Sequence, residues 1–240
     1  MATRKIIEKE KPDVAVIHHG IYIPQGVISE VCKKYGVRQV VWNVGYRRGS
    51  ILLSEDDTYH KVIPSITKSE IQELNLDKHH KMLGSKYVSS RWTGGSDWVR
   101  FQNKKYSTWR ERMRGTKTEL LILTNVAWDA QIHFENSYFG SQHEWLELMI
   151  KLCKKLNIKT KIRIHPAENL GTHPSRENLA EFLNALITKH SADSIKIIEP
   201  DDRISTYTLI DAAKAICVYG SKTSIESAVK NKPEIGRAHV

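Results

Sequence analysis

The alternation of apolar and polar positions divides the chain into two patterned halves joined by a stretch with no period. In the first half, residues 14–18 form a β-branched run that ends in His18-His19-Gly20. After Pro24-Gln25-Gly26, residues 27–35 space their apolar positions as a helix does, and residues 37–44 form a second apolar run. Together these predict a βαβ unit. Residues 63–83 follow, with Ser69 and Glu70 near a helix start and Ile71, Leu74, Leu76 and Met82 placed to suit one or two short helices. Residues 84–118 are rich in Gly, Ser, Trp, Arg and Lys and hold no sustained period, so the connection between domains is expected there.

The second half reads more regularly. Residues 119–124 predict a strand, and 142–156 predict an amphipathic helix with Trp145, Leu146, Met149, Ile150 and Cys153 inward. Residues 160–165 predict the next strand, and 176–190, 194–198, 204–213, 215–219 and 223–231 then alternate helix, strand, helix, strand, helix. Short apolar strands separated by helices build a parallel sheet with right-handed crossovers. The expected organisation is a first domain over residues 1–100, a basic linker over 101–118 and a second domain over 119–233. Neither half holds a full set of units, so both domains are expected to be incomplete. After Pro233 an apolar strand is expected. Ile235 to Val240 instead matches the translation of a common sequencing-adapter read, so 234–240 is expected to be a non-native tail.

Composition narrows the classes. A chain of 240 residues that is 40% hydrophobic can bury a substantial core. No run approaches the roughly 18 apolar residues that span a bilayer, and the amino terminus has no signal-peptide core, which points to the cytoplasm. Cys32, Cys153 and Cys217 lack paired spacing and are expected to be reduced packing residues. The net charge of +10, from 37 basic against 27 acidic residues, attracts nucleic acid, anionic lipid and phosphorylated substrates alike. Much of it lies in residues 100–117, where Lys104, Lys105, Arg110, Arg112, Arg114 and Lys117 stand among Phe101, Tyr106, Trp109 and Met113. The plain reading is a solvated helix or linker face. The functional reading is peripheral contact with an anionic membrane or acceptor. No nucleic-acid module accompanies the charge, so nucleic acid is not an expected partner.

Candidate chemistry gathers at the carboxyl ends of the predicted strands, where open α/β sheets bind ligands. The turn Gly220-Ser221-Lys222-Thr223-Ser224 opens a helix, so small residues, hydroxyls and amides converge there as a phosphate seat, and Thr223 or Ser224 can cap the helix. Glu226, one turn in, can accept from ribose hydroxyls or merely offset the helix dipole. Arg163-Ile164-His165-Pro166-Ala167-Glu168 ends another strand. There His165 can donate to a phosphate and, protonated, meet charge developing on a leaving group. Asn125, after the first strand of the second half, can bond a phosphate or hold its loop, with Trp128 and Asp129 beside it. A sugar hydroxyl acting as nucleophile needs a general base, for which Asp57, His60 and His19 are the candidates. Adjacent histidines on a strand face opposite ways, so no metal site is expected.

Taken together, His18 to Gly26, Trp42-Asn43 with Tyr46-Arg47, Asp57-Thr58-Tyr59-His60, Asn125 with Trp128-Asp129, Arg163 to Glu168 and Tyr219 to Thr223 resemble the bacterial capsule and surface polysaccharide biosynthesis glycosyltransferases of the GT-B fold. The His-Pro and Ser/Thr motifs are also similar to those of sialyl- and Kdo-transferases. The resemblance spans about 12–233 and implies two Rossmann-like domains, with acceptor in the first and nucleotide-sugar donor in the second. It further implies that Asn125, Arg163, His165, Glu168, Gly220, Ser221, Thr223, Ser224 and Glu226 line the donor site, with His165 and the 221–224 turn on its phosphate. No cofactor or metal is implied, the nucleotide sugar being the substrate. The expected acceptor is a growing polysaccharide or lipid-linked glycan, and inversion is the simpler stereochemical expectation. A teichoic-acid-type CDP-alcohol phosphotransferase and a non-catalytic nucleotide-sugar-binding assembly subunit are the alternatives.

Overall fold

The computed structural model describes residues 2–45, 47–93, 117–127, 138–170 and 175–236. The chain divides into two compact units, whose described residues are 2–45 and 47–93 in the first and 117–127, 138–170 and 175–236 in the second. Trp128, Asp129, Tyr46 and residues 101–116 of the expected linker lie outside the described residues.

In the first unit, α1 (Ala2–Glu10) precedes β1 (Val14–His18), α2 (Gln25–Lys34) and β2 (Arg38–Val44). The expected βαβ unit is present, with β1 parallel to β2 and His18 opposite Trp42. An unanticipated strand, β3 (Ile51–Glu55), returns antiparallel along β2, so the sheet has the order β1-β2-β3. Its turn closes where the Gly45 amide donates to the Ser50 carbonyl at 2.7 Å. Ile17, Cys32 and Val37 pack with Ile7 of α1 on one side of this sheet, while Val16, Ile51 and Leu53 stay exposed. Three helices follow: α3 (Tyr59–Ser65), α4 (Lys68–Glu73) and α5 (Lys78–Thr93). Thr67 and Glu70 close a capping box at the start of α4, two residues before the start suggested by Ser69. α5 carries regular helix through residues 84–93, where the sequence shows no apolar stripe.

The second unit holds β4 (Thr118–Leu123), α6 (Gln142–Lys155), β5 (Thr160–Arg163), α7 (Ala167–Leu170), α8 (Leu179–Lys189), β6 (Ile195–Ile198), α9 (Thr206–Ala212), β7 (Ala213–Val218), α10 (Thr223–Val229) and β8 (Glu234–Gly236). Its five strands lie in the order β6-β5-β4-β7-β8, every neighbouring pair parallel. The predicted parallel sheet is therefore present. The consecutive apolar residues of β4 explain its central place. Leu120 and Ile122 pack with Leu146 and Ile150 of α6 and Leu183 of α8. Leu121 and Leu123 pack on the other face with Leu209 and Ile210 of α9. A strand buried on both faces has no polar alternation to show. The strand order reverses at β4, and the carboxyl ends of β4 and β7 form the topological switch point at which open α/β sheets bind ligands.

Caps set the helix starts. Ser141 accepts from the Glu144 amide, Asn178 from the amides of Ala180 and Glu181, and Ser205 from the Tyr207 amide. The last two start α8 and α9 later than the periodicity suggests. Glu234–Gly236, within the segment expected to be a non-native tail, pairs with β7 through Ile216 opposite Glu234. Ladder bonds are made by the main chain and are indifferent to the side chains that carry them.

All three cysteines are buried free thiols. Burial first, then the neighbouring Cys153 and Glu234, pushes the Cys217 thiol up to about 12. That makes Cys217 an inert packing group.

Candidate functional site

Three loops form the carboxyl rim of the parallel sheet, one each after β4, β5 and β7. The β7 turn begins at Gly220, whose φ of 58° lies in the left-handed region where a Cβ is strained. Ser221 Oγ accepts from the Thr223 amide at 3.4 Å and from Thr223 Oγ1 at 3.0 Å. The Ser221 carbonyl accepts from the Ser224 amide at 3.1 Å. Ser221 thus supplies the hydroxyl that organises this turn, a role expected of Thr223 or Ser224, and Lys222 at the N-cap position makes no side-chain cap. Ser221, Thr223 and Ser224 are all half-buried along the turn.

Behind the turn, Glu226 is 1% exposed, and Tyr207 of α9 donates to its Oε1 at 3.4 Å. α10 reverses the usual polarity of a surface helix. Ile225 and Val229 face solvent while Glu226 and Ser227 are buried. Glu226 is therefore held inside the unit, against Tyr207.

The β5 loop is held to the β4 loop at two points. The His165 amide donates to Thr124 Oγ1 at 2.9 Å, and Glu168 Oε1 accepts from the Ala127 amide at 3.1 Å. The Ala167 amide donates to His165 Nδ1 at 3.1 Å. That bond places the proton of neutral His165 on Nε2, the nitrogen turned away from its own backbone. Arg163 is placed differently from the expectation of a donor ligand. It is 2% exposed, and its guanidinium donates to the carbonyls of Glu199, Pro200 and Asp202, holding the loop after β6.

Asn125 joins the β4 loop to the β7 turn. Its Nδ2 donates to the Gly220 carbonyl at 3.1 Å, and its Oδ1 accepts from the Val126 amide at 2.9 Å. Gln142, the first residue of α6, grips the Asn125 main chain from below. Its Oε1 accepts from the Asn125 amide at 2.6 Å, and its Nε2 donates to the Asn125 carbonyl at 2.9 Å. The structure thus ties Asn125, His165, Glu168 and the 220–224 turn into one hydrogen-bonded rim and sends Arg163 elsewhere. Thr124, Gln142 and Tyr207 belong to this arrangement and were not anticipated. The Thr124-Asn125 pair directly after a strand is the signal that could have flagged Thr124.

In the first unit, the segment after β1 places an unusual ring cluster. His19 adopts a left-handed φ of 66°, with its amide donating to the Trp42 carbonyl at 2.8 Å. Its ring stacks on His60 at 5.5 Å and meets Tyr22 edge-on at 4.9 Å, while Tyr59 lies 4.0 Å from His60. Asp57, the third base candidate, has a different setting. Partial burial alone would raise its carboxyl, but the Thr58 amide at 2.7 Å and the ammonium groups of Lys33 at 3.2 Å and Lys61 at 3.5 Å prevail, and its pKa is lowered. Such a carboxylate holds a proton poorly. Asp57, Thr58 and Lys61 line a groove of about 590 Å³ together with Gly20, Ile21 and Lys33. Among the described residues, no group of three His, Cys, Asp or Glu side chains is arranged for a metal ion, and no helix is long and apolar enough to cross a membrane.

No family model matches the chain, and no curated protein does. Among solved structures its fold is similar to that of Thermosulfurimonas dismutans KpsC, a beta Kdo 2,4 transferase. The TM-score is 0.56 at 11% identity, covering 93% of this chain and 67% of that one. It is also similar to Thermosulfurimonas dismutans KpsC, beta Kdo 2,7 transferase, with a TM-score of 0.54 at 13% identity, covering 98% and 68%. At such identities the likeness is one of fold: this chain shares a mixed α/β architecture with two enzymes that transfer a sugar.

Proposed function

We propose that this chain is a glycosyltransferase of the GT-B type, built from two Rossmann-like domains, that moves a sugar from a nucleotide donor onto a growing capsular or other surface glycan. The observation that carries the proposal is the rim of the parallel sheet, where Asn125, His165 and the Ser221 to Ser224 turn are held by mutual hydrogen bonds. Fold likeness to two Kdo transferases supports the same reading.

In this reading the second unit seats the donor. His165 donates from Nε2 to the departing phosphate while the amides and hydroxyls of the β7 turn take its remaining oxygens. Donors fixed before the reaction stabilise developing charge without reorganising, which is why such groups matter more in the transition state than in the ground state. Buried Glu226 receives ribose hydroxyls from below, and Arg163 shapes the adjoining loop. The first unit serves the acceptor, a polysaccharide or lipid-linked glycan, and the His19 and His60 imidazoles accept the proton of its attacking hydroxyl. An imidazole titrates near neutrality, whereas Asp57, held ionised by two lysines, is the weaker base. The reaction needs no cofactor or metal in this account, and it takes place at the cytoplasmic face of the membrane, with residues 100–117 offering basic contact to anionic lipid.

Thermal unfolding in the presence of CMP, CDP, UDP or GDP tests the donor site. One nucleotide is expected to stabilise the protein, by about 2.7 kcal/mol at 100 times its dissociation constant. His165→Ala should lose at least about tenfold in affinity or turnover while the fold persists, because a hydrogen bond to a charged phosphate carries roughly that much. Stabilisation by none of the four, or a phosphodiester rather than a glycosidic bond in the product, contradicts the proposal.

A further inference from the structure

We propose that Gln142 is a positioning residue of the donor site, acting through Asn125 on the phosphate turn after β7. This inference rests on the donor reading given above. Its basis is a chain of short contacts that starts beneath the rim and ends at the turn.

Gln142 is 3% exposed and Asn125 8% exposed, so both lie out of solvent. A buried side-chain amide has one acceptor and one donor end to satisfy, and Gln142 spends both on a single residue. Its Oε1 takes the Asn125 N–H and its Nε2 gives to the Asn125 C=O. A residue gripped at both main-chain groups cannot rotate either flanking peptide plane without breaking a buried bond. The Asn125 side chain therefore leaves the main chain in a fixed direction, steadied further by its Oδ1 on the Val126 amide. That direction carries Nδ2 to the Gly220 carbonyl, 95 residues away in sequence. Gly220 opens the turn with a left-handed φ of 58°, and its peptide planes set where the following amides and the Ser221 hydroxyl point.

Asn125 retains a second Nδ2 hydrogen with no partner among the described residues, and this is the one a phosphate oxygen would take. Gln142 thus touches no ligand. It fixes the residue that both touches the ligand and anchors the turn. α6 contributes this through its first residue, and the 14 residues of the helix are themselves locked into the core by Trp145, Leu146 and Ile150. The rim is thereby referred to the buried core of the second unit.

The test compares Gln142→Met, which keeps the length and removes both bonds, with Thr160→Val. Thr160 is a similarly buried residue whose hydroxyl bonds the Ile158 carbonyl at the opposite end of β5. Amide hydrogen exchange is read at residues 124–127 and 220–224, and binding of CMP, CDP, UDP and GDP is read in parallel. Both variants should lower Tm. Only Gln142→Met should speed exchange at 220–224 and weaken nucleotide binding, each by about tenfold, the scale of one lost buried hydrogen bond. Exchange at 220–224 no faster than in Thr160→Val overturns the inference even if nucleotide binds. Faster exchange in a protein that binds none of the four nucleotides overturns the donor reading instead, and with it the functional role of the coupling.

Should Gln142→Met fail to fold, Gln142→Glu keeps the shape. Its ionised carboxylate has no proton to give the Asn125 carbonyl, whereas its protonated form does. Relative to wild type, the turn should therefore be loose at neutral pH and recover below about pH 5. A ratio to wild type that does not change with pH counts against the mechanism.

Discussion

His165, His19 and Asp57 are polar side chains at strand ends, and the structure gives them different chemistry through their hydrogen bonds. The Ala167 amide fixes the tautomer of His165. The stacking of His19 on His60 at 5.5 Å sets two imidazoles face to face, with Tyr22 edge-on to His19 and Tyr59 beside His60. Lys33 and Lys61 hold Asp57 ionised. His60→Gln should therefore cost about 10² to 10⁴ in turnover and flatten the limb of the pH–rate profile near the imidazole range. Asp57→Asn should keep that limb and lose stability instead. The sign follows from its lowered pKa: the carboxylate contributes stability above its unfolded pKa, and that contribution fades as pH falls through the folded value. Loss of the limb in Asp57→Asn with retention in His60→Gln would reverse the assignment.

Elements were legible in the sequence where one physical signal dominated. β4 and β7 read as strands because residues buried on both faces are apolar without interruption, and α6 and α8 read as helices because their inner faces repeat every three to four residues. β3 escaped because its apolar residues are few and follow Arg47-Arg48-Gly49-Ser50, which reads as a loop but serves as a hairpin turn. α1 escaped because a single residue, Ile7, is buried along it. The candidate site was legible in its positions and less so in its directions. Strand ends placed His165 and Ser221 on the rim, but Arg163 bonds carbonyls 36 to 39 residues further on, a contact that no local spacing encodes. Glu226 is buried by a helix that turns its isoleucine outward.

The tie between α6 and α8 gives a prediction at this scale. Glu147 accepts from Lys151 at 3.0 Å and Lys189 at 3.2 Å, with His190 at 3.4 Å, and Lys151 first, then Lys189, holds its pKa at about 2. Its contribution is complete above the ordinary carboxylate value of 4.5 and fades as pH falls toward about 2. The stability difference between wild type and Glu147→Gln should therefore shrink across that acid range, and shrink again with added salt. A difference that stays constant from neutral pH to pH 2 would show that the network contributes nothing.

On the scale of the whole molecule, the second unit is a parallel sheet whose strand order turns at β4, which makes the ends of β4 and β7 its topological switch point. Fold likeness to two Kdo transferases concerns that architecture, while the proposed chemistry rests on the side chains of the rim. The most direct measurement is a two-dimensional amide NMR titration of the protein with CMP and UDP. The account predicts that one of them shifts Asn125, His165 and Gly220 to Ser224 together, in a single saturable process. Shifts confined to other residues, or to one of these loops without the others, would contradict it.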